Sequence, residues 1–317
     1  MLTVQEFNSN FTKAIRGYFD NQSRAAIKNS VMNRIFQVED SSEYVASYIS
    51  TEGITLPTYF GESETPDVSN IGKGYKTTFE SAEFGHSIIV TYKERLKNPD
   101  STEKLKNITN AKKNGAIIAM NTFLEKETHR LFNEAFASTT FLAPDGYTLC
   151  SATHTWNSTG RTFDNVLSAA ALDLTVADVV EKRGGAFVDS NGTQMPLNFK
   201  YILVKKGSKA AQAAKRIFGF TSRDQYRPVA IGNLNIYEGA YTIIETPWLT
   251  SNTAYFFIAD HAELSLDNPL FVDFTQRPAM QSEFKEEKNL DWTNTVAGSF
   301  KFGIRNMPFT VLGSAGA

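Results

Sequence analysis

Cysteine is nearly absent: Cys150 stands alone among 317 residues. No intrachain disulfide can form, and with no signal-like start the chain fits synthesis in a reducing cytoplasm. A dominant sign of charge is missing as well. The 32 basic and 34 acidic side chains leave a formal net charge of -2, so no global positive field is available to grip a phosphate backbone, which argues against a dedicated nucleic-acid binder. No apolar run reaches the length of a membrane-spanning helix. The four histidines, His86, His129, His154 and His261, are scattered and form neither an H-E-x-x-H nor a Cys/His spacing, so no metal is expected. Gly184-Gly185, Gly72-x-Gly74 and Gly313-x-x-Gly316 lack the Lys-Ser/Thr or third glycine of a phosphate cradle. No cofactor is expected either.

Apolar material, by contrast, is sufficient for a sizeable core. Hydrophobic residues make up 41% and charged residues 21% of the chain, ordinary for a soluble globular protein of one large or two smaller domains. The 24 phenylalanines against 3 tryptophans predict many flat contacts in the core or between subunits. The first fifty residues read as an arm. Thr3 and Glu6 have capping-box spacing, and Phe7, Phe11, Ile15 and Phe19 recur at every fourth position, giving one apolar stripe on a short helix. Asn21 to Phe36 has a weaker helical pattern in Ala25, Ile27, Val31, Ile35 and Phe36. Periodicity locates such a stripe and leaves open whether it docks on its own domain or on a neighbour.

From about Thr51 to Leu96, Pro57, Gly61, Pro66, Gly72, Gly74 and Gly85 interrupt the chain, while Tyr75, Thr77 and Phe79, then Ile88, Val90 and Tyr92, alternate with polar residues as strands do. The two runs read as arms of a long hairpin around the mostly polar Glu80 to His86, preceded by the acidic, loop-like Glu62 to Asn70. A hairpin polar on both flanks has little apolar area with which to fold back on its own body, so its partner is expected on another chain, with strand addition as one mode. Asp100, after Pro99 and three before Glu103, starts a helix expected over about 100–138. Its apolar face holds Leu105, Ile108, Ala116, Ala119, Met120, Phe123, Leu124, Leu131 and Ala135, with Gly115 as the interruption. Such a helix is roughly 50 Å long, and a turn at Pro144, Asp145 and Gly146 ends the helical region. His129 is expected on its polar face, solvated. Beyond it, Thr175 to Ala186 and Ser208 to Phe218 predict helices. Tyr201 to Val204, Tyr255 to Ala259, Phe271 to Phe274, Gln281 to Lys285 and Val296 to Ile304 predict strands, and Leu234 to Ile244 a pair of short strands or a hairpin. Mixed elements without regular strand-helix-strand repetition give an α+β class.

The segment Asp145 to His154 has the look of an enzyme motif. Ser151 and His154 sit three apart, yet a nucleophilic serine needs a base aimed at its oxygen, a group orienting that base and an oxyanion site. No G-x-S-x-G elbow is present, so a turn-stabilising role is the better expectation and no catalytic residue is assigned. Cys150, with nothing basic near it in sequence, reads as a small buried hydrophobe. Lys205-Lys206 and the Glu-interrupted Lys285 to Lys288 read as a solvated surface.

In order along the chain come Gly74-Tyr75-Lys76-x-x-Phe79, Phe84-Gly85-x-x-x-x-Val90-Thr91 and the long helix. Asp145-Gly146-x-x-Leu149-x-Ser151-x-x-His154, Asn165-x-Leu167 and the ending Val311-Leu312-Gly313-Ser314-Ala315 follow. In that order the chain resembles a tailed-bacteriophage major capsid (head) protein of the Mu-like branch, over most of its length. The resemblance implies a Hong Kong 97-like capsid fold: N-terminal arm at 1–50, extended β-hairpin loop at 51–97, peripheral domain with a spine helix at 98–164, axial domain at 165–262, and a return to the peripheral domain at 263–317. It implies a structural, non-catalytic protein that self-assembles as pentamers and hexamers into an icosahedral head enclosing double-stranded DNA. Such a protein sits in the virion and is assembled in the bacterial host cytoplasm. The implied partners are many copies of itself, a portal, separate scaffolding, protease or decoration proteins, and packaged DNA in non-specific proximity, with no membrane. No long charged helical segment precedes the arm, so a fused scaffolding domain is expected to be absent, separately encoded or removed. Intersubunit contacts are expected at Phe7, Phe11, Ile15 and Phe19 in the arm and at Tyr75, Phe79, Phe84, Ile88 and Tyr92 in the loop. Two alternatives stay open: an encapsulin-like nanocompartment shell carrying enzyme cargo, and a hydrolase using Ser151 and His154.

Overall fold

The computed structural model describes residues 21–53, 73–93, 102–219, 237–260, 268–280, 285–286 and 291–317. The stripe Phe7, Phe11, Ile15 and Phe19, the acidic Glu62 to Asn70, the helix start at Asp100, the side chains of Leu105 and Ile108, His261, and the run from Gln281 to Phe284 lie outside the described residues. The helices are α1 (21–28), α2 (Met32–Ile35), α3 (Thr102–Asn133), α4 (Leu174–Ala186) and α5 (Lys209–Phe218). The strands are β1 (Gln37–Asp40), β2 (Val45–Thr51), β3 (Lys73–Glu80), β4 (Ala82–Val90), β5 (His154–Thr155), β6 (Thr162–Phe163), β7 (Phe199–Lys205), β8 (Thr242–Thr246), β9 (Tyr255–Ala259), β10 (Leu270–Met280), β11 (Lys285–Glu286), β12 (Trp292–Ile304) and β13 (Val311–Ser314). Two compact units result. Unit 1 takes the described parts of Met1–Ala46, Phe79–Thr128 and Val272–Phe302, and unit 2 those of Ser47–Thr78, His129–Phe271 and Gly303–Ala317.

Unit 1 is built on a sheet in the order β1-β10-β12-β11, with β4 also paired to β12. Its core joins Ile88 of β4, Ala116, Ile117 and Met120 of α3, Met280 and Val296. Phe84 stacks on Phe123 at 5.4 Å and meets Phe300 edge-on at 5.3 Å, geometries that add to simple area burial. Gly298 makes room for that ring, since a Cβ there would lie 2.9 Å from it. The segment expected to be weakly helical docks here: Ile27, Met32, Ile35 and Phe36 are buried, and Glu125 Oε1 of α3 accepts the N–H groups of Val31 at 2.7 Å and Met32 at 3.4 Å. Between β10 and β12, Lys301 Nζ sits 2.9 Å from Asp273 Oδ2 with both side chains at most 1% exposed. The same ammonium donates to Glu43 O at 2.6 Å, so a buried cation also holds the β1–β2 connection.

Unit 2 centres on the sheet β13-β9-β7-β8, in which β7 and β8 run parallel and the other pairs antiparallel. Strand β9 is the continuous apolar run Tyr255–Ala259, buried along its whole length, as a strand covered on both faces must be. Asp173 caps α4 by accepting from Val176 N–H at 2.9 Å, and Ser208 caps α5 through Ala211 N–H at 3.0 Å, each satisfying a donor the first turn leaves free. Ala210, Ala211, Ala214 and Phe218 form the buried face of α5, and Val176, Ala177, Val180 and Gly184 that of α4. Gly184 marks a close approach: a Cβ there would lie 2.5 Å from Leu197 O.

The long helix holds 32 residues, about 48 Å at the standard rise, and ends at Asn133, ahead of the expected residue 138. Asn133 turns its side chain to the 248–250 loop, donating to Trp248 O at 3.1 Å and accepting from Thr250 N–H at 2.8 Å. His129 is a correction: it is fully buried, its ring 6.5 Å from that of Phe132. Ala119, assigned to the apolar face, is exposed, while Ile117 is buried. The expected hairpin is corrected too. Both runs are strands, but β3 pairs with β2, and β4 pairs with β12 from Ala82↔Phe300 to Val90↔Trp292. Only Ser81 separates β3 from β4, fewer residues than the tightest hairpin turn requires. Gly85, read as a breaker, lies within β4 opposite Ala297. The pair of strands expected over Leu234 to Ile244 is, in its described part, a turn at 237–240 and the single strand β8.

Replacing Lys301 with Met is expected to cost about 3–5 kcal/mol in urea unfolding, because Asp273 stays buried without its cation. Converting Asp273 to Leu in the same chain should recover part of that loss.

Candidate functional site

After α3 the chain folds into a tight knot of turns. Asp145 Oδ2 receives His154 Nδ1 at 2.8 Å and Thr155 N–H at 3.0 Å, while Asp145 Oδ1 accepts Tyr147 N–H at 3.2 Å. Both side chains of the Asp145–His154 pair are fully buried. His154 Nε2 lies 3.4 Å from Leu149 O, and the ring stacks on Phe163 at 5.1 Å. Ser151 is engaged differently: its hydroxyl accepts Thr153 N–H at 3.3 Å. A serine nucleophile would require His154 Nε2 aimed at Ser151 Oγ. That nitrogen instead faces a main-chain carbonyl, and the histidine fastens the turn. Burial raises the Asp145 pKa, but hydrogen bonds from His154, Thr155 and Tyr147 outweigh it and hold the carboxyl below its ordinary range.

A second centre lies beside it. Asn165, buried, receives Ser151 N–H on Oδ1 at 2.8 Å and donates Nδ2 to Leu149 O at 2.8 Å and Pro308 O at 3.1 Å. Its own N–H reaches Ser151 O at 3.2 Å and its carbonyl accepts Gly313 N–H at 3.0 Å. Leu167 N–H then donates to Gly313 O at 2.7 Å. Between these strands Cys150 is sealed in, its thiol pKa pushed up by burial, as expected of a buried hydrophobe. A Cβ at Gly313 would lie 2.5 Å from Cys150 Sγ and 2.9 Å from the Phe256 ring. Glycine is required there for proximity.

Of the residues expected to contact neighbours, Tyr75 is half-buried against the unit 2 core. Its pKa is raised by burial, then by the charges of Asp145 and Glu52. Phe79 is half-buried. Phe84 and Ile88, the latter 3% exposed, are covered within unit 1, because the inward face of β4 serves the chain's own core. Tyr92 is 41% exposed. The arm residues lie outside the described set. Sequence reasoning passed over Glu52, whose carboxylate accepts Asn157 N–H and Ser158 N–H, both at 2.8 Å. A lone acid ahead of a glycine carries no sequence signal of such a contact. Unit 2 also has a recess of about 640 Å³ floored by Trp156, Phe163, Phe199 and Phe309, where Arg183 at the rim is paired with Asp164. Among the described residues no group of three or more His, Cys, Asp or Glu is placed to hold a metal ion, and no helix is long and apolar enough to cross a membrane.

No family model matches the chain, and no curated protein does. Solved structures do. The chain is similar to the capsid structure of the cyanophage P-SCSP1u, with 9% identity and a TM-score of 0.53 over 91% of this chain and 88% of that one. A structure from Mycobacterium phage Patience matches with 11% identity and a TM-score of 0.51 over 100% of this chain and 89% of that one. One from Mycobacterium phage Bobi gives 11% and 0.51 over 91% and 90%. The chain has the α+β Hong Kong 97-like capsid fold.

Two outcomes follow from the geometry. A carboxyl depressed in the folded state contributes stability above its unfolded pKa, about 3.9, and that contribution is lost as pH falls through the folded value. Urea midpoints measured from pH 7 down to pH 2 should therefore fall below about pH 4, and Asp145→Asn should flatten part of that decline. Gly313→Ala is expected to destabilise by about 1–3 kcal/mol through overpacking. Adding Cys150→Ala, which removes the nearest atom, should recover part of it in thermal unfolding.

Proposed function

We propose that this chain is the major capsid protein of a tailed phage, with the motif order of the Mu-like branch. Copies of it close as pentamers and hexamers into an icosahedral head around double-stranded DNA. The observation that carries the reading is the match to the cyanophage capsid subunit, which runs over nearly the whole of both chains. Residues 165–262 serve as the axial domain and 98–164 with 263–317 as the peripheral one. Heterologous contacts that close into rings follow from the symmetry of such shells. The leading part of the arm, with Phe7, Phe11, Ile15 and Phe19, and the extended loop at 51–97, with Tyr75, Phe79 and Tyr92, supply contacts to adjacent subunits, while residues 21–36 of the arm stay docked on unit 1 of their own chain. Phe84 and Ile88 support the same loop from within unit 1.

Each interface needs only standard size, on the order of 1,000 Å² or more, because a shell multiplies modest contacts. A chain with net charge -2 suits a wall that touches packaged DNA without gripping it. A portal, with separate scaffolding, protease or decoration proteins, makes up the further partners of this reading, and assembly takes place in the host cytoplasm.

Expressed with its neighbouring genes, the chain is expected in the high-molecular-weight fraction as closed particles under the electron microscope, holding nuclease-protected DNA. A monodisperse monomer at assembly concentrations would overturn the reading. Particles filled with protein cargo would overturn its DNA half and favour a nanocompartment.

A further inference from the structure

The recess of about 640 Å³ in unit 2 is lined by two hairpins, β5–β6 and a second one in which Val188 pairs with Gln194. Small-molecule sites enclose roughly 300–1,000 Å³, so its size suits a ligand of that scale. Its wall is a closed circuit of aromatic rings. Centroids step from Trp156 to Phe163 at 5.5 Å, to Phe187 at 5.9 Å, to Phe309 at 5.2 Å and back to Trp156 at 5.9 Å. Trp156 and Phe309 are buried, Phe163 and Phe187 are half-buried, and Val188 is exposed. A flat apolar group entering here would cover surface that costs about 25 cal/mol per Å² while it faces water, and would meet rings that favour an aromatic partner.

Charge at the rim narrows the choice of ligand. Arg183 is tied to Asp164 and donates to Val166 O at 3.0 Å. The Asp189 carboxylate is taken by the N–H groups of Asn191 at 2.9 Å and Thr193 at 2.8 Å. Arg161 is exposed, and among the described residues no acid pairs with it. Its guanidinium lies against Gly192, where a Cβ would strike it, so the side chain reaches from one hairpin across to the other. One cation is therefore left over, beside two carboxylates that repel any second negative charge.

We propose that this recess binds a small aromatic carboxylate, with its ring against Phe163 and Phe187 and its single negative charge on Arg161. The planar guanidinium fork matches a carboxylate in two parallel hydrogen bonds. A cationic ligand is repelled by Arg161, and a phosphate dianion by Asp164 and Asp189. Every lining residue belongs to unit 2, so binding needs no neighbouring copy and stands apart from the shell reading.

The test is calorimetric titration of the purified full-length chain with 2-naphthoate, 2-naphthyl phosphate and 2-naphthylmethylamine, repeated on Arg161→Gln and Phe187→Leu. The first variant removes the free charge at an exposed position, and the second keeps an apolar side chain but removes its ring. Thermal unfolding of each variant confirms that it is folded. The wild type should bind 2-naphthoate with a Kd below about 1 mM, more tightly than the phosphate or the amine. Arg161→Gln should weaken it about tenfold, equivalent to ~1.4 kcal/mol, and Phe187→Leu should weaken it with the preference among the three probes kept. No heat of binding for 2-naphthoate overturns the proposal, as does equal or tighter binding of the amine or the phosphate. Wild-type affinity in Arg161→Gln overturns it as well, since the ligand then sits elsewhere. Should Phe187→Leu fail to fold, Val188→Ala, at the exposed lip of the same recess, takes its place. A peptide ending in phenylalanine, compared with N-acetylphenylalanine, separates the two sources of such a group: tighter binding of the peptide assigns the site to a polypeptide terminus, and equal binding to a free acid.

Discussion

One buried amide holds together three stretches of unit 2 that are far apart in sequence. Asn165 uses its N–H, its carbonyl, its Oδ1 and its Nδ2 on Ser151, Gly313, Leu149 and Pro308. The partners lie in the turn after α3 and in the approach to β13, and Asn165 itself stands just ahead of α4. An amide in this position cannot be exchanged for a hydrophobe at small cost, because the surrounding backbone groups would stay buried without partners. It also fixes where β13 lies, and with it one edge of the sheet that carries β9, β7 and β8. The packing of Cys150 beneath Gly313 follows from that placement.

The elements most legible in the sequence were those whose signal is local. Asp173 and Ser208 are side-chain caps, and the helices they begin, α4 and α5, lie within a residue of their expected starts. Strand β9 announced itself as an unbroken apolar run. The long helix was legible from its apolar spacing despite Gly115, where an added Cβ would meet nothing within 4 Å. What periodicity could not supply was partnership. The alternation in β3 and β4 is genuine, but alternation says which face a residue takes and not which strand lies beside it. Hence two correctly placed strands were joined into a hairpin, although each has a distant partner, β2 and β12. The short strand β1 had no apolar alternation to announce it: Gln37–Asp40 is mostly polar and is held at the sheet edge by Arg277, which pairs with Asp40.

The candidate site was legible in outline for the same reason. Asp145, Ser151 and His154 stood out because turn residues and titratable groups cluster there, and the structure gathers Asp145 and His154 into one buried pair. Asn165 stood out only as part of a motif, since no local property reveals an amide whose partners lie up to 148 positions away at Gly313. Glu52 left no trace at all. Its importance arises from two main-chain donors about a hundred residues downstream. Burial of His129 was missed because one polar residue on a helix gives no measure of what covers it. Long-range polar contacts are the part of a fold that a single sequence encodes least openly.

The lone sulfhydryl of this chain, walled in behind Gly313 and the Phe256 ring, leaves the native exterior silent to maleimides. A cysteine introduced at the exposed Leu174 becomes the sole thiol handle on each copy. If copies do close into a shell, every particle would then display that handle in a regular array, and dyes, gold clusters or peptides could be mounted at fixed intervals with no background from the wild-type thiol.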